Sequence, residues 1–339
     1  MITHDLVVIG GSAGSLEPLR TIVGALGGFR GTVLIAVHAY PNARSHLLPG
    51  LLASLGTLSV THARDGDPLA PGTVLVAPPA RHLIVEPGRV RLTTGPRENG
   101  TRPAIDPLFR TAARSYGARV VGVLLSGHLD DGTYGLAIIK SHGGRTIVQK
   151  PSTARHPDMP ESGMHNVRVD AVLSPEEIGP RLCELANTPI MEETTMGRLG
   201  SKGAPLDRIA HDEGIAGERH ATVLSCPECH GVMMRLERPD LLHFECQIGH
   251  AASPLSLEAA QATEVTGSLE SARRGLREQA LLAYMMAERA RGNRDIEGAA
   301  ELEERAHAYE KNADAIEGIL SKVQRFGHGR APNDGDLPG

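Results

Sequence analysis

Tryptophan is absent from the 339 residues and aromatics make up only 3% of them, so the core must be built from aliphatic side chains. Cysteine is scarce as well, at 4, which excludes a secreted disulfide framework. Apolar runs such as Val33 to Val37 and Val120 to Leu125 fall far short of the about 20 residues that a membrane-spanning helix needs. No basic segment followed by an apolar one precedes Leu6, so a secretory leader is not expected and the cytoplasm is. A formal charge of −5 argues against general nucleic-acid binding.

A hydrophobic fraction of 40% suits a globular chain long enough for one full α/β domain and something smaller. Basic residues slightly outnumber acidic ones up to residue 190, and acidic residues dominate beyond it. That asymmetry suggests two modules. Strand signals recur at Val33–His38, Leu58–His62, Thr73–Ala77, Val120–Ser126, Thr146–Gln149 and Val169–Leu173. Helical patterns at 43–55, 105–116, 132–141 and 175–185 lie between several of them. Such alternation predicts a doubly wound, mostly parallel sheet with helices on both faces. His82–Thr93 is the local exception, where Glu86-Pro87-Gly88-Arg89 fits a type II turn and predicts a hairpin.

The first strand runs into glycine: Leu6-Val7-Val8-Ile9-Gly10-Gly11-Ser12-Ala13-Gly14-Ser15-Leu16. Gly-x-Ser-x-Gly on a strand-to-helix turn is the setting of a nucleophile elbow. Phosphate binding is the competing use of such a turn. Ser12, however, occupies the slot of the middle glycine of a dinucleotide fingerprint, and no Gly-Lys-Ser/Thr follows. In open parallel sheets functional groups collect beyond the carboxyl ends of strands. That rule picks out Ser12, His38 at the end of strand two, and Asp131 after the Val120 strand. A serine hydroxyl needs a base, histidine has the right basicity, and a carboxylate fixes the imidazole tautomer. Asp130 is as good a helix cap as Asp131, so spacing leaves that choice open.

Gly11-Ser12-Ala13-Gly14, Val37-His38, Ala77-Pro78-Pro79-Ala80-Arg81-His82-Leu83, Arg102-Pro103-Ala104-Ile105-Asp106-Pro107-Leu108-Phe109 and Leu125-Ser126-Gly127-His128-Leu129-Asp130-Asp131-Gly132 run collinearly. Together they resemble the catalytic domain of the CheB-type chemotaxis protein-glutamate methylesterases, over about residues 4–186. The resemblance implies that fold and a serine esterase that hydrolyses glutamate γ-methyl esters on chemoreceptors or related signalling proteins. Some members also deamidate glutamine. By motif, Ser12 takes the place of the nucleophile, His38 of the base and Asp131 of the orienting acid. Main-chain N–H groups of Ala13 and one near His128 would hold the oxyanion. No cofactor is implied for the reaction. His128 stands where the best-known members carry Met. Those members also carry an amino-terminal receiver domain; this sequence begins at the first catalytic strand, so constitutive or otherwise controlled activity is expected. A signalling module without turnover and a hydrolase of small esters remain the alternative readings.

The methylesterase-like domain is assigned to 1–190, and residues 191–220 read as a linker without periodicity. Cys226-Pro227-Glu228-Cys229, then Cys246 and His250, give Cys-x₂-Cys-x₁₆-Cys-x₃-His, a structural zinc pattern spanning a module at 221–252. His230 and His243 are spare imidazoles nearby, which leaves the fourth ligand open. Apolar residues at three-to-four spacing from 253 to 325, broken at Gly292-Asn293, predict a hairpin of two long helices. Residues 326–339 read as a disordered tail.

Overall fold

The computed structural model describes residues 2–38, 47–56, 58–190, 219–238 and 241–327. The expected linker up to residue 218, the tail from 328 and positions 43–46 of the second expected helix lie outside the described residues. The chain divides into two compact units, Met1–Leu257 and Glu258–Gly339.

The first unit is organised by a seven-stranded sheet. Its strands are β1 (Leu6–Gly11), β2 (Thr32–Val37), β3 (Ser59–His62), β4 (Thr73–Val76), β7 (Val120–Leu124), β8 (Arg145–Gln149) and β9 (Ala171–Leu173). They lie in the order β3-β4-β2-β1-β7-β8-β9, and every pairing is parallel. Between β4 and β7 the chain makes the expected hairpin, β5 (His82–Glu86) and β6 (Arg89–Thr93). Strand β1 is buried along its length, and its two sets of side chains enter different cores. Val7 and Ile9 pack with residues of α1 (Leu16–Gly24), α2 (Leu48–Ala53) and α6 (Pro175–Asn187). Leu6 and Val8 pack with α3 (Ile105–Tyr116), α4 (Thr133–Ser141) and α5 (Asp158–Asn166). A strand covered on both faces must be apolar at every position, which is why β1 reads as a continuous run.

Helix α3 shows how pattern becomes packing. Ile105, Leu108, Phe109 and Ala112 recur at helical spacing on one face and are all fully buried. Each such large side chain contributes about 1.5–3 kcal/mol of burial. Helix α5 carries Pro160 and Gly163 and gave no periodic signal. Pro160 is tolerated because it lies in the first turn. At Gly163 a Cβ would stand 3.1 Å from Val148 and 3.3 Å from Leu124, so the missing side chain is what lets the helix lie close to the sheet.

Residues 219–252 form a four-stranded antiparallel sheet of β10 (Arg219–Ser225), β11 (Val232–Arg238), β12 (Leu241–Cys246) and β13 (Ala251–Ala252). It belongs to the same unit as the α/β domain and docks on it through backbone. The Asn99 N–H donates to the Ala251 carbonyl at 2.8 Å, and the Ala251 N–H points back to the Arg97 carbonyl at 3.4 Å. The His243 ring stacks on Tyr134 with centroids 4.4 Å apart.

Helix α7 (Pro254–Gly292) and α8 (Ile296–Gly327) form the expected hairpin, broken at the expected place. In the second unit Tyr284 bonds Glu310, Arg273 pairs with Glu317 and Arg291 with Glu303, an antiparallel register. Ala299, Ala306, Ala313 and Leu320 repeat every seven residues and are buried, opposite Ala280 and Ala287. A seven-residue repeat of small side chains lets two helices meet closely along one seam. No helix among the described residues is long and apolar enough to cross a membrane.

Candidate active site

Strand order reverses at β1. The connection leaving β1 runs over one face of the sheet and that leaving β7 over the other, which opens a crevice beyond their carboxyl ends. Ser12 follows β1 directly and His38 follows β2. The His38 N–H donates to the Gly11 carbonyl at 3.2 Å, and the Ser12 N–H to the Ser126 carbonyl at 2.9 Å. Main-chain bonds thus tie together the three strand tips that the sequence singled out.

Asp131 is buried in this crevice and accepts from four donors. His38 Nε2 lies 2.6 Å from its Oδ2, and the Ile105 N–H 2.7 Å from the same oxygen. Asn99 Nδ2 lies 2.8 Å from Oδ1 and the Asp106 N–H 3.2 Å from it. Ile105 and Asp106 open helix α3, so the carboxylate occupies the positive end of a helix whose own N-cap, Ala104, offers no side-chain acceptor. Burial by itself pushes this carboxyl up. The hydrogen bond and charge of His38, with the Ile105 and Asn99 donors, outweigh burial and hold the group at about 2.

Asp106 answers reciprocally. It accepts from the Gly132 and Gly135 N–H groups at 3.1 and 2.7 Å, at the start of helix α4, and from Asn99 Nδ2 at 3.0 Å. Asp131 therefore caps the helix whose first turn carries Asp106, and Asp106 caps the helix that follows Asp131. Burial, then the charge of Asp131, push Asp106 well above the usual carboxylate range. The sequence points to neither Asn99 nor the function of Asp106; Asp106 lies inside the Arg102–Phe109 motif, and Asn99-Gly100 carries only a turn signal, which the structure realises as a bond from the Thr101 N–H to Glu98 O. Asp130 faces elsewhere and accepts from the hydroxyls of Ser253 and of Ser256, the latter at 3.0 Å. Burial raises its pKa against those two hydrogen bonds.

The turn around Ser12 differs in one respect from the elbow expected. Ser12 keeps an ordinary φ, and the left-handed residue is Gly14, at φ 77°. A Cβ there would stand 2.7 Å from Ser126 Oγ and 2.8 Å from Arg155 Cβ. Ser126 holds the loop from below: its hydroxyl donates to the Ala13 carbonyl at 2.9 Å and accepts the His156 N–H at 3.0 Å. Gly127 is equally tight, since a Cβ would come within 2.7 Å of Ser12 Cβ. Ser12 Oγ has no hydrogen-bond partner among the described residues, nor do His38 Nδ1 and the N–H groups of Ala13 and His128. The His128 side chain turns outward, with Nδ1 3.1 Å from Asp158 and its ring 4.1 Å from that of His156. Burial, then the charge of His128, lower the His156 pKa.

A family model for the CheB methylesterases matches residues 7–182. The chain belongs to the CheB methylesterase family. It is 39% identical over 181 residues to a protein-glutamate methylesterase/protein-glutamine glutaminase of Anaeromyxobacter dehalogenans, a match covering 53% of each chain. The chain thus spans about half the length of that relative. A Leptospira interrogans relative is 35% identical over 178 residues, 52% of this chain and 92% of that protein. The crystal structure of the Thermotoga maritima CheB methylesterase catalytic domain superposes with a TM-score of 0.51 at 32% identity, covering 53% of this chain and 98% of that one. The parallel sheet and its crevice are therefore those of a CheB methylesterase, and the sheet from β10 to β13 lies outside the matched residues.

In that sheet Cys226, Cys229, Cys246 and His250 bring their ligand atoms within 4.8 Å of one another and can hold a metal ion. Cys229 Sγ and His250 Nδ1 each lie 3.6 Å from Cys246 Sγ. Tetrahedral bonds of about 2.3 Å set ligand atoms about 3.8 Å apart, so the donors fit such an ion. Two tight turns make the site. The His230 N–H donates to Cys226 O at 2.7 Å and the Gly249 N–H to Cys246 O at 2.9 Å, with His230 and Gly249 both at positive φ. The choice left open by the spare imidazoles falls to His250, since His243 stacks on Tyr134 and His230 is not in the cluster.

Proposed function

We propose that the protein hydrolyses γ-methyl esters of glutamate side chains on a chemoreceptor or related signalling protein in the cytoplasm, with Ser12 as nucleophile. The observation that carries this reading is the 2.6 Å contact between His38 and a buried, ionised Asp131, at the strand tips beside Ser12. With Nε2 engaged by Asp131, Nδ1 is the ring nitrogen left to take the Ser12 proton. Ser12 Oγ attacks the ester carbonyl, and the oxyanion is received by the main-chain N–H groups of Ala13 and His128. His38 returns the proton to the departing methoxide, which leaves as methanol. Water, activated by the same imidazole, then releases the glutamate carboxylate and restores Ser12. Glutamine deamidation uses the same acyl intermediate, with ammonia as the leaving group.

In this reading residues 1–190 carry the chemistry and the chain from 191 connects them to the Cys/His module, whose sheet starts at Arg219, two residues before the 221 expected from the sequence. The hairpin at 253–325 is the partner-facing element. The module would take zinc through Cys226, Cys229, Cys246 and His250, a donor set that suits a structural rather than a catalytic ion. Bound there, the ion would cross-link two turns and touch no reacting atom of the ester.

The test is methanol release from a methylated receptor. Ser12→Ala should abolish it at unchanged melting temperature, because Ser12 Oγ holds no other group among the described residues. Undiminished release from the Ser12→Ala protein overturns the assignment.

A further inference from the structure

We infer that Asn99 is a positioning residue for the Asp131 carboxylate and that segment 251–256, which leads from the Cys/His module into helix α7, sets Asn99. The inference rests on the methylesterase reading of Asp131. Asn99 is 9% exposed, and each polar atom of its amide is committed. Nδ2 is shared between Asp131 at 2.8 Å and Asp106 at 3.0 Å, while Oδ1 accepts the Ser253 N–H at 2.9 Å. An amide fixed at its oxygen end presents its nitrogen in one direction, here between the two carboxylates.

The backbone of Asn99 is held by the same segment. Its φ of 50°, with Gly100 at 69° and the Thr101 N–H donating to Glu98 O at 2.9 Å, is that of a tight Asn-Gly turn. Onto that turn the segment adds the bond from the Asn99 N–H to Ala251 O at 2.8 Å, one residue beyond His250 of the Cys/His cluster. The loop that carries the acid is gripped at a second point. Ser253 and Ser256 hydroxyls both bond Asp130, the immediate neighbour of Asp131. Residues 251–256 therefore fix the acid from its amide partner and from its own loop. Residue 250 is a corner of the metal site, so an ion that locks His250 also locks this segment. Misplacing a catalytic group by about 1 Å costs on the order of a hundredfold in rate, so partial loosening is worth about tenfold.

The experiment uses the full chain, wild type and Asn99→Gly, loaded with zinc and stripped by a chelator. Glycine keeps the left-handed backbone while removing the amide. Two quantities are measured: kcat and KM for methanol release, and zinc affinity by competition with a chromophoric chelator. Stripping should lower the wild-type kcat about tenfold at unchanged KM. Loaded Asn99→Gly should sit at that same lowered level, and stripping it should cost nothing further, the non-additivity of two steps on one path. By reciprocity, Asn99→Gly should bind zinc at least about fivefold more weakly. An equal fractional loss on stripping in both proteins, or an unchanged zinc affinity in Asn99→Gly, overturns the inference. If loaded wild type releases no methanol, the methylesterase reading fails separately, and the zinc affinities alone decide the coupling.

Discussion

Asp131→Asn is the perturbation whose outcome the geometry fixes most tightly. All four neighbours of this carboxylate are donors: His38 Nε2, the Ile105 and Asp106 N–H groups, and Asn99 Nδ2. An amide offers only one oxygen. If its NH₂ replaces Oδ2 it confronts His38 and Ile105; if it replaces Oδ1 it confronts Asp106 and Asn99. Leaving buried donors unpaired costs about 1–3 kcal/mol. Losing a carboxylate held at about 2 rather than the usual 3.8 removes roughly 2 kcal/mol more. The variant should therefore be about 3–5 kcal/mol less stable at neutral pH. Because the folded pKa is depressed, this part of the stability is present above the unfolded value of 3.8 and disappears as pH falls through about 2. The difference between wild type and variant should thus be flat from neutrality down to about pH 5 and then narrow. In the same protein kcat should fall about 10³–10⁴-fold, since the imidazole loses its orienting anion. Asp130→Asn is the internal control. The Ser253 and Ser256 hydroxyls donate to Oδ1, and an amide oxygen accepts both. Urea unfolding across pH and methanol-release kinetics on both variants make the comparison. Equal losses in the two, or an Asp131→Asn kcat within tenfold of wild type, would refute the reasoning.

Two further substitutions test the surroundings. Arg110 and Glu98 form a buried two-bond pair at 2.7 and 2.9 Å, so Arg110→Met should cost about 3–5 kcal/mol in chemical denaturation by stranding the carboxylate. Much of that loss should return in Arg110→Met combined with Glu98→Leu; a double variant no more stable than the single one contradicts this account. Gly14→Ala places a methyl against Ser126 and Arg155 at positive φ, and should cost about 1–3 kcal/mol together with kcat. An alanine variant with wild-type melting temperature and rate would show that the turn does not need the glycine.

Much of the fold was legible because its signals are local. A continuous apolar run marks a strand buried on two faces, and β1, β2 and β7 have one. The hairpin at 82–93 announced itself by Pro-Gly in its turn, and helix α3 by apolar residues at helical spacing. Helix α5 stayed hidden, because its proline and glycine weaken local propensity and only contact with Val148 and Leu124 compensates. The parallel order of strands was likewise expected as a class, while the neighbours of β1 follow from long-range pairing.

By itself the sequence determined that Ser12, His38 and an aspartate of the 130–131 pair stand at strand ends, and that three cysteines and a histidine have ligand spacing. Each of those facts depends on local pattern or on spacing along one short stretch of chain. Which aspartate meets His38, which imidazole joins the thiolates, and that Asn99 joins the acid to Ser253 were decided only in three dimensions. The contacts of His38 and Asn99 link residues from about 30 to over 150 positions apart, and the orientation of a side chain among such partners is set by the packing of whole elements, which local pattern does not encode.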